Sequence, residues 1–210
     1  MFDSIWTKYL IDQNLEDRKI CPICGYVGRF EAPESGRSSA ATNCPQCGSR
    51  ERDRLYWMYL FKENILFQKS RLVQVNPDAA IKSKIREYHR VKYRSIGFRD
   101  LATIQDEGVD LFMANYVLDR VDDLEACLSA MRSCLSENGR IMASHFFAKD
   151  SSDPNRFTLD GLTEILERNG FKVTVISGDE LCGSFLANVC GIKPKDLVVI
   201  AEPLDDDVSC

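Results

Sequence analysis

The sequence predicts an α/β fold, a mainly parallel sheet covered by helices on both faces, behind a helix and a small cysteine-bearing segment. Three observations predict it. From Arg71 onward, short apolar runs alternate with amphipathic stretches in the strand–helix–strand order that builds parallel sheets. Upstream, Cys21, Cys24, Cys44 and Cys47 stand in two Cys-Pro-x-Cys-Gly knuckles. A hydrophobic content of 44% over 210 residues supports one core of ordinary size plus an appendage.

Taken in order, Phe2–Asp17 reads as a helix with Ile5, Trp6, Tyr9 and Leu10 on one stripe. Between the knuckles, EAPESGRSSAATN reads as loop and hairpin turn. The stretch SRERDRLYWMYLFKENILF then carries Leu55, Met58 and Tyr59 on a broad apolar face, widened by Trp57 and Phe61. That breadth places a helix between the cysteine segment and the main domain. Strands follow at 71–75, 91–96, 109–114, 139–144, 171–177 and 196–202. Strand 109–114 lacks clean alternation and so is buried on both faces. Helices are expected at 78–89 (Ile81 and Ile85 inward), 121–139 and 158–170. The second carries Leu124, Cys127, Leu128, Met131 and Leu135 at helical spacing and is closed by Gly139. The last two strands, joined by a long excursion, are free to pair antiparallel at one edge. This divides the chain into residues 1–70, a domain over 71–204, and an acidic tail over 205–210.

The knuckles carry chemistry. Each puts two thiols on one tight turn, where Gly25 or Gly48 permits a backbone angle other residues resist. Two such turns, separated by the 19 residues Gly25 to Asn43, complete a tetrahedral four-sulfur site suited to zinc. With all four positions taken by Cys, no site stays open for water or substrate, so the metal is structural. Two disulfides, an iron–sulfur cluster and a rubredoxin-like iron are the competing readings. Nine cysteines, an odd number with five scattered outside the knuckles, fit a reducing cytoplasm better than a disulfide framework. No stretch approaches the roughly 18 apolar residues of a membrane span, which with the cysteine usage predicts a cytoplasmic protein.

Charge limits the partners. Residues 1–70 hold 10 Lys/Arg against 9 Asp/Glu, and residues 71–210 hold 17 against 23. Nucleic-acid binding needs a basic face to neutralise phosphates. Here the only basic cluster is Arg50, Arg52 and Arg54, interrupted by Glu51 and Asp53, which reads as a solvated helix start.

The stretch VDLFMANYVLDRVDDLEACLSAMRSCLSENGRIMAS resembles the fourth strand, following helix and fifth strand of the class I S-adenosylmethionine-dependent methyltransferases. Asp110, Asn115, Val117, Leu118, Val121, Asp122, Asp123 and Gly139 occupy the family's positions. LTEILERNGFKVTV resembles its late helix-to-strand passage. A bacterial subset of methyltransferase-like proteins begins with a zinc ribbon that runs into a Cys-Gly-Ser-x-Glu-Arg-x-Arg-Leu helix. Cys47 through Leu55 match it, and Asn76-Pro77-Asp78 matches the Pro-acidic pair ending that subset's first strand. The resemblance covers nearly the whole chain and implies a Rossmann-like class I methyltransferase sheet carrying an N-terminal helix and zinc ribbon.

It also implies a cofactor, S-adenosylmethionine, over the carboxyl ends of the strands at the switch in strand order. The contacting loops would be Asn76–Ala79, Ile96–Leu101 and Asn115–Leu118, which gives Asn76, Pro77, Asp78, Gly97, Asp100, Leu101, Asn115 and Tyr116 as cofactor residues. Asp78 would face the methionine ammonium, or else cap a helix. Asp100 would serve the adenine edge as the acidic residue of the family's third-strand turn, or else sit in a turn. Three positions depart from the pattern. NPDAA replaces a glycine-rich loop, Gly97 stands where most relatives place a ribose-binding carboxylate, and Asp119-Arg120 replaces a Glu-His pair.

Of two histidines, His145 follows a strand and would emerge at the carboxyl edge as a general base; the alternative is a hydrogen-bonded loop residue. His89 falls near the opposite edge and reads as structural. Tyr116 would line the pocket or the core. Cys182 and Cys190 have no His or Asp spaced to activate them. The expected function is methyl transfer to a small-molecule or sugar-like acceptor. The alternative is a non-catalytic relative that binds a protein partner as a scaffold subunit.

Overall fold

The computed structural model describes residues 18–32, 41–77, 79–144, 157–193 and 196–204. The expected helix Phe2–Asp17, Asp78, His145, the loop 146–156 and the acidic tail lie outside the described residues.

Two short antiparallel strands, β1 (Lys19–Ile20) and β2 (Val27–Gly28), flank the first knuckle. An antiparallel bridge between Glu31 and Asn43 leads into the second. Helix α1 (Glu51–Lys62) starts where the Asp53 carboxylate accepts the Arg50 N–H at 2.8 Å. It buries Arg54, Leu55, Tyr56, Trp57, Tyr59 and Leu60, more than one face. The reason is position. Cys21, Ile23, Phe30 and Cys44 press on it from one side and the sheet residues Leu72, Leu111 and Met113 from the other, in one continuous apolar cluster. The sequence places α1 between cysteine segment and sheet, and there it lies.

Six strands form the main sheet: β3 (Ser70–Val75), β4 (Val91–Ile96), β5 (Val109–Asn115), β6 (Leu135–Ser144), β7 (Phe171–Ser177) and β8 (Leu197–Pro203). Their spatial order is β4-β3-β5-β6-β8-β7. β3 pairs in parallel with β4 and β5, and β5 with β6; β8 runs antiparallel between β6 and β7. This is the expected Rossmann-like sheet, its last strands closing back on each other. The order turns at β3, so the crevice lies between the carboxyl ends of β3 and β5.

The helices divide between the faces. α1 and the short α2 (Ala79–Ile85, with Ile81 and Ile85 buried) cover one. α3 (Leu124–Cys134) and α4 (Leu159–Arg168) cover the other, against Val73, Phe112, Ile141 and Val199. Asp123 caps α3 by accepting the Ala126 N–H, and Thr158 caps α4 by accepting the Gly161 N–H.

Two sequence expectations need correction. Gly139 does not close α3. The helix stops at Cys134, Leu135 turns extended and pairs with Val109, and β6 begins four residues before Gly139. Pairing then shifts register between Val109 and Leu111, and Gly139 fills the kink. A Cβ there would meet Val109 O, with Ser136 N at 2.8 Å and Ser136 O at 2.9 Å, so glycine is required by space. The α2 helix ends at Ile85, not at 89. As expected, no strand falls between β4 and β5; the passage holds a 3-10 turn, Phe98–Thr103, and Asp100 sits in it.

The excursion between β7 and β8 folds as two short helices, α5 (Gly178–Cys182) and α6 (Ser184–Val189). Its start was readable. Ser177 and Glu180 form a reciprocal capping box, the Ser-x-x-Glu spacing that opens a helix.

Candidate metal centre and ligand edge

Both knuckles use one backbone pattern. The Gly25 N–H donates to Cys21 O at 2.9 Å, and the Cys21 N–H to Tyr26 O at 2.9 Å. In the second, Gly48 donates to Cys44 O at 2.8 Å and Cys44 to Ser49 O at 2.9 Å. Gly25 and Gly48 stand at φ +79° and +73° with open space around them, so backbone angle alone demands glycine. The turns bring four sulfurs within 4.8 Å of one another. Cys21 and Cys47 sulfurs lie 3.6 Å apart, as do those of Cys24 and Cys44. A disulfide needs about 2.05 Å. Four thiolates at about 2.3 Å from one tetrahedral ion lie about 3.8 Å apart. The set fits a tetrahedral thiophilic ion. The buried Ser49 hydroxyl lies 3.3 Å from the Cys21 sulfur and 3.2 Å from that of Cys47, within reach of both. Burial pushes the Cys24 and Cys44 thiols up, so a cation must displace protons to bind there.

The residue after the centre matters as much. The sequence assigns Arg50, Arg52 and Arg54 to a solvated helix start. Arg50 is exposed, Arg52 is half-buried, and Arg54 is 0% exposed. The Arg54 guanidinium donates to Ser49 O (2.8 Å), Thr42 O (3.0 Å), Cys190 O (2.6 Å) and Gly191 O (3.0 Å), and stacks 4.4 Å from the Phe30 ring centre. Phe30 and the carbonyls form its pocket, which the excursion closes; the helix periodicity carries no sign of it.

At the other end of the sheet, β3 and β5 finish in the crevice. Asn76 and Tyr116, the first residues past each, hold left-handed angles of φ +49° and +53°. Asn adopts that region readily, Tyr at a cost of about 1–2 kcal/mol. Each is fastened to the next strand, Asn76 N–H to Ile96 O (2.8 Å) and Tyr116 N–H to Ser144 O (3.0 Å). Asn115 and Ser144 are register partners on β5 and β6. Asn115 is 8% exposed, and among the described residues neither its Oδ1 nor its Nδ2 has a hydrogen-bond partner; the buried Ser144 hydroxyl faces the Tyr116 phenol. A buried amide left without a partner costs free energy, and this one stands at the end of β5, on the crevice. Above it, the Arg52 guanidinium of α1 stacks 4.6 Å from the Tyr116 ring centre. Burial raises the Tyr116 phenol, against the opposing pull of Arg52.

The remaining candidates divide. Asn76 is exposed and Pro77 half-buried on the β3 side of the crevice, and Gly97 and Asp100 are exposed past β4. Gly97 has an ordinary extended backbone, φ −76° and ψ 155°. A Cβ on it would lie 3.1 Å from the Asp100 carboxylate, which folds back over the space a side chain at 97 would enter. Leu101 turns its side chain into the core on the far face, with Val117 and Leu118 of the β5 loop. Arg120 is exposed. His89 is exposed beside the start of β4, at the opposite end of the sheet. Burial pushes the Cys182 thiol up to about 11 and that of Cys190 up to about 12, so neither is a ready nucleophile. Asp110 bridges strands at the amino edge, accepting the Arg71 N–H and the Ser136 hydroxyl at 2.8 Å each. Sequence reasoning missed Ser144 and Arg52; a lone Ser at a strand end carries no signal.

No protein-family model and no curated protein matches the chain. Among solved structures it is similar to the CurJ carbon methyltransferase, at 14% identity and a TM-score of 0.45, over 66% of this chain and 49% of that one. The chain thus spans about half the length of that protein. It is similar also to the 1,6-didemethyltoxoflavin-N1-methyltransferase of Burkholderia thailandensis, solved with S-adenosylhomocysteine, at 15% identity and a TM-score of 0.48, over 72% of this chain and 78% of that one. A third similar structure is the [4+2]-cyclase SpnF, at 14% identity and a TM-score of 0.47, over 72% of this chain and 82% of that one. No described helix is long and apolar enough to cross a membrane.

Proposed function

We propose that this chain transfers a methyl group from S-adenosylmethionine to a small-molecule or sugar-like acceptor, and that Cys21, Cys24, Cys44 and Cys47 hold a structural zinc. One observation carries the enzymatic reading. The Asn115 amide, buried and without a partner among the described residues, stands at the carboxyl end of β5, beside the switch point where such a sheet takes its nucleotide.

When bound, the cofactor supplies a methyl group on a positively charged sulfur. The chain's own residues position and desolvate. Asn115 offers a donor and an acceptor to the ligand, Asn76 and Pro77 shape the β3 side of the crevice, and Tyr116 with Arg52 roofs it. Asp100 serves as the hydroxyl acceptor that a carboxylate at 97 supplies in most relatives, because its carboxylate already occupies that space. His145, next in sequence to Ser144, takes the acceptor's proton where the acceptor is a hydroxyl.

Calorimetric titration of the zinc-loaded protein with S-adenosylmethionine and its demethylated product tests this. Micromolar binding that weakens about tenfold in Asp100→Asn supports it; no heat at millimolar ligand overturns it. His145→Ala should lower turnover and leave cofactor affinity intact, and unchanged turnover would remove that role. The scaffold reading is favoured by Gly97 and by the closed packing of Arg52 on Tyr116 over the edge. It predicts a stable protein partner and no cofactor affinity.

A further inference from the structure

Arg54 presents an electrostatic problem. Its guanidinium is fully buried, donates to four neutral main-chain carbonyls, and makes no ion pair among the described residues. A buried charge left uncompensated is costly, and neutral carbonyls offset only part of that cost. The nearby carboxylates are engaged elsewhere. Glu51 meets Lys193 Nζ at 3.4 Å, and Asp53 accepts the Arg50 N–H and lies 3.8 Å from Arg52 Nε.

Glu51 and Asp53 still act on Arg54 without pairing with it, and a loaded cysteine cluster would add a further compensating charge. Four thiolates around one divalent ion carry a net charge of about −2. That charge would lie beside Arg54's own bonding partner: the Ser49 carbonyl accepts from Arg54 Nη1, and the Ser49 hydroxyl lies 3.3 Å from the Cys21 sulfur and 3.2 Å from that of Cys47. On its other side Arg54 grips Cys190 and Gly191 at the end of α6. Gly191 stands at φ +65°, and a Cβ there would lie 2.9 Å from Phe30 Cε2 and 3.2 Å from Arg54 Nη2, so the fit is close.

We propose that Arg54 is the buried counter-charge of the metal-loaded tetrathiolate, and that metal occupancy thereby holds the excursion 178–193 on the cysteine segment. Loading stabilises the guanidinium in its pocket, and the guanidinium in turn fastens the turn after α6. Removing the ion takes away most of the counter-charge of this interior cation, which then favours leaving, and that frees Cys190–Ile192. The coupling is reciprocal, so Arg54 must raise metal affinity by the factor by which the metal tightens the latch. The inference rests on the reading of the four cysteines as a metal centre and is independent of methyl transfer.

The test compares the full chain with Arg54→Met, which keeps bulk and loses charge, and Arg54→Lys, which keeps charge and loses the fork. Zinc stoichiometry comes first; a wild-type chain that binds no zinc overturns the metal reading and this inference together. With one zinc bound, competition against a chelator should show Arg54→Met weakened about 10–100-fold, the range for residues supporting metal ligands, and Arg54→Lys weakened far less. Without zinc, Arg54→Met should be at least as stable to denaturant as wild type. Equal affinity loss in both variants, or equal destabilisation of Arg54→Met with and without zinc, overturns the inference and leaves the metal centre standing. Should Arg54→Met fail to fold, hydrogen exchange on wild type decides. Chelation must release the amides of Cys190 and Ile192, which donate to Leu186 O and Ala187 O; retained protection overturns the latch.

Discussion

Arg54 Nε donates to the carbonyl of Cys190 at 2.6 Å, across 136 positions of sequence. The bond joins the first helix after the cysteine cluster to the last connection before β8. Lys19 does the same more loosely, reaching Asn188 Oδ1 at 2.9 Å. The cysteine segment is therefore seated on the C-terminal excursion and on α1 at once.

Metal removal should be felt through the whole domain. Cys44→Ser deletes one ligand from a buried position and should abolish stoichiometric zinc. The loss of roughly 4 kcal/mol of ligand-linked stability corresponds to a midpoint lower by about 8–16 °C for a chain of this size. Metal analysis with thermal unfolding checks it; an unchanged midpoint with zinc lost would separate the cluster from the core it adjoins.

Asn115→Ala should act oppositely on stability and on binding. The free protein loses two unsatisfied buried polar atoms and should be no less stable, while ligand affinity falls about 5–100-fold, equivalent to about 1–3 kcal/mol. Calorimetry beside a denaturation curve reads both. A large stability loss would mean that Asn115 serves the fold alone.

Gly139→Ala should cost about 2–4 kcal/mol, at the upper end for single substitutions. The new methyl meets main-chain atoms of Val109 and Ser136, which cannot swing aside as a side chain would. Urea unfolding measures it. A cost below about 0.5 kcal/mol, ordinary for a surface position, would restore Gly139 to the helix-stop role its sequence suggests.

Stability should decline in alkali. Burial holds the Cys190 thiol protonated up to about 12, above the 9.0 of an unperturbed thiol. The folded chain therefore keeps a proton the unfolded chain gives up. The contribution is complete below pH 9.0 and lost progressively toward pH 12, at up to about 1.4 kcal/mol per pH unit for one group. Cys190→Ala should flatten that limb of the stability–pH curve. Identical slopes in the two proteins would show that Cys190 titrates normally.

The sheet was legible because its strands are short apolar runs between breakers, and all six appear, five of them near their expected bounds. The late antiparallel closure was legible too, from the excursion joining the last strands. What failed was local. SENG reads as a helix end, yet the pull of Val109 on Leu135 converts those residues to strand, and pairing with a distant chain segment leaves no mark in a window of ten residues. The cysteine spacing was enough to bring four sulfurs together. The fate of Arg54 was hidden because an Arg flanked by acids reads as solvated, and its burial depends on carbonyls more than a hundred residues downstream. Asn115 was picked out by resemblance, whereas its unbonded amide is visible only in three dimensions.

The seat that spans the chain also sets a timetable. During synthesis at about 5–20 residues per second, roughly 7–27 s separate the emergence of Arg54 from that of Cys190. Through that interval the knuckle cysteines are outside the ribosome without the surface that later covers them. Newly made chains are thus exposed to thiol oxidation and metal scavenging before α6 exists. If the four cysteines hold zinc as proposed, its supply during translation, more than its supply to the finished protein, should govern how much of this chain matures correctly.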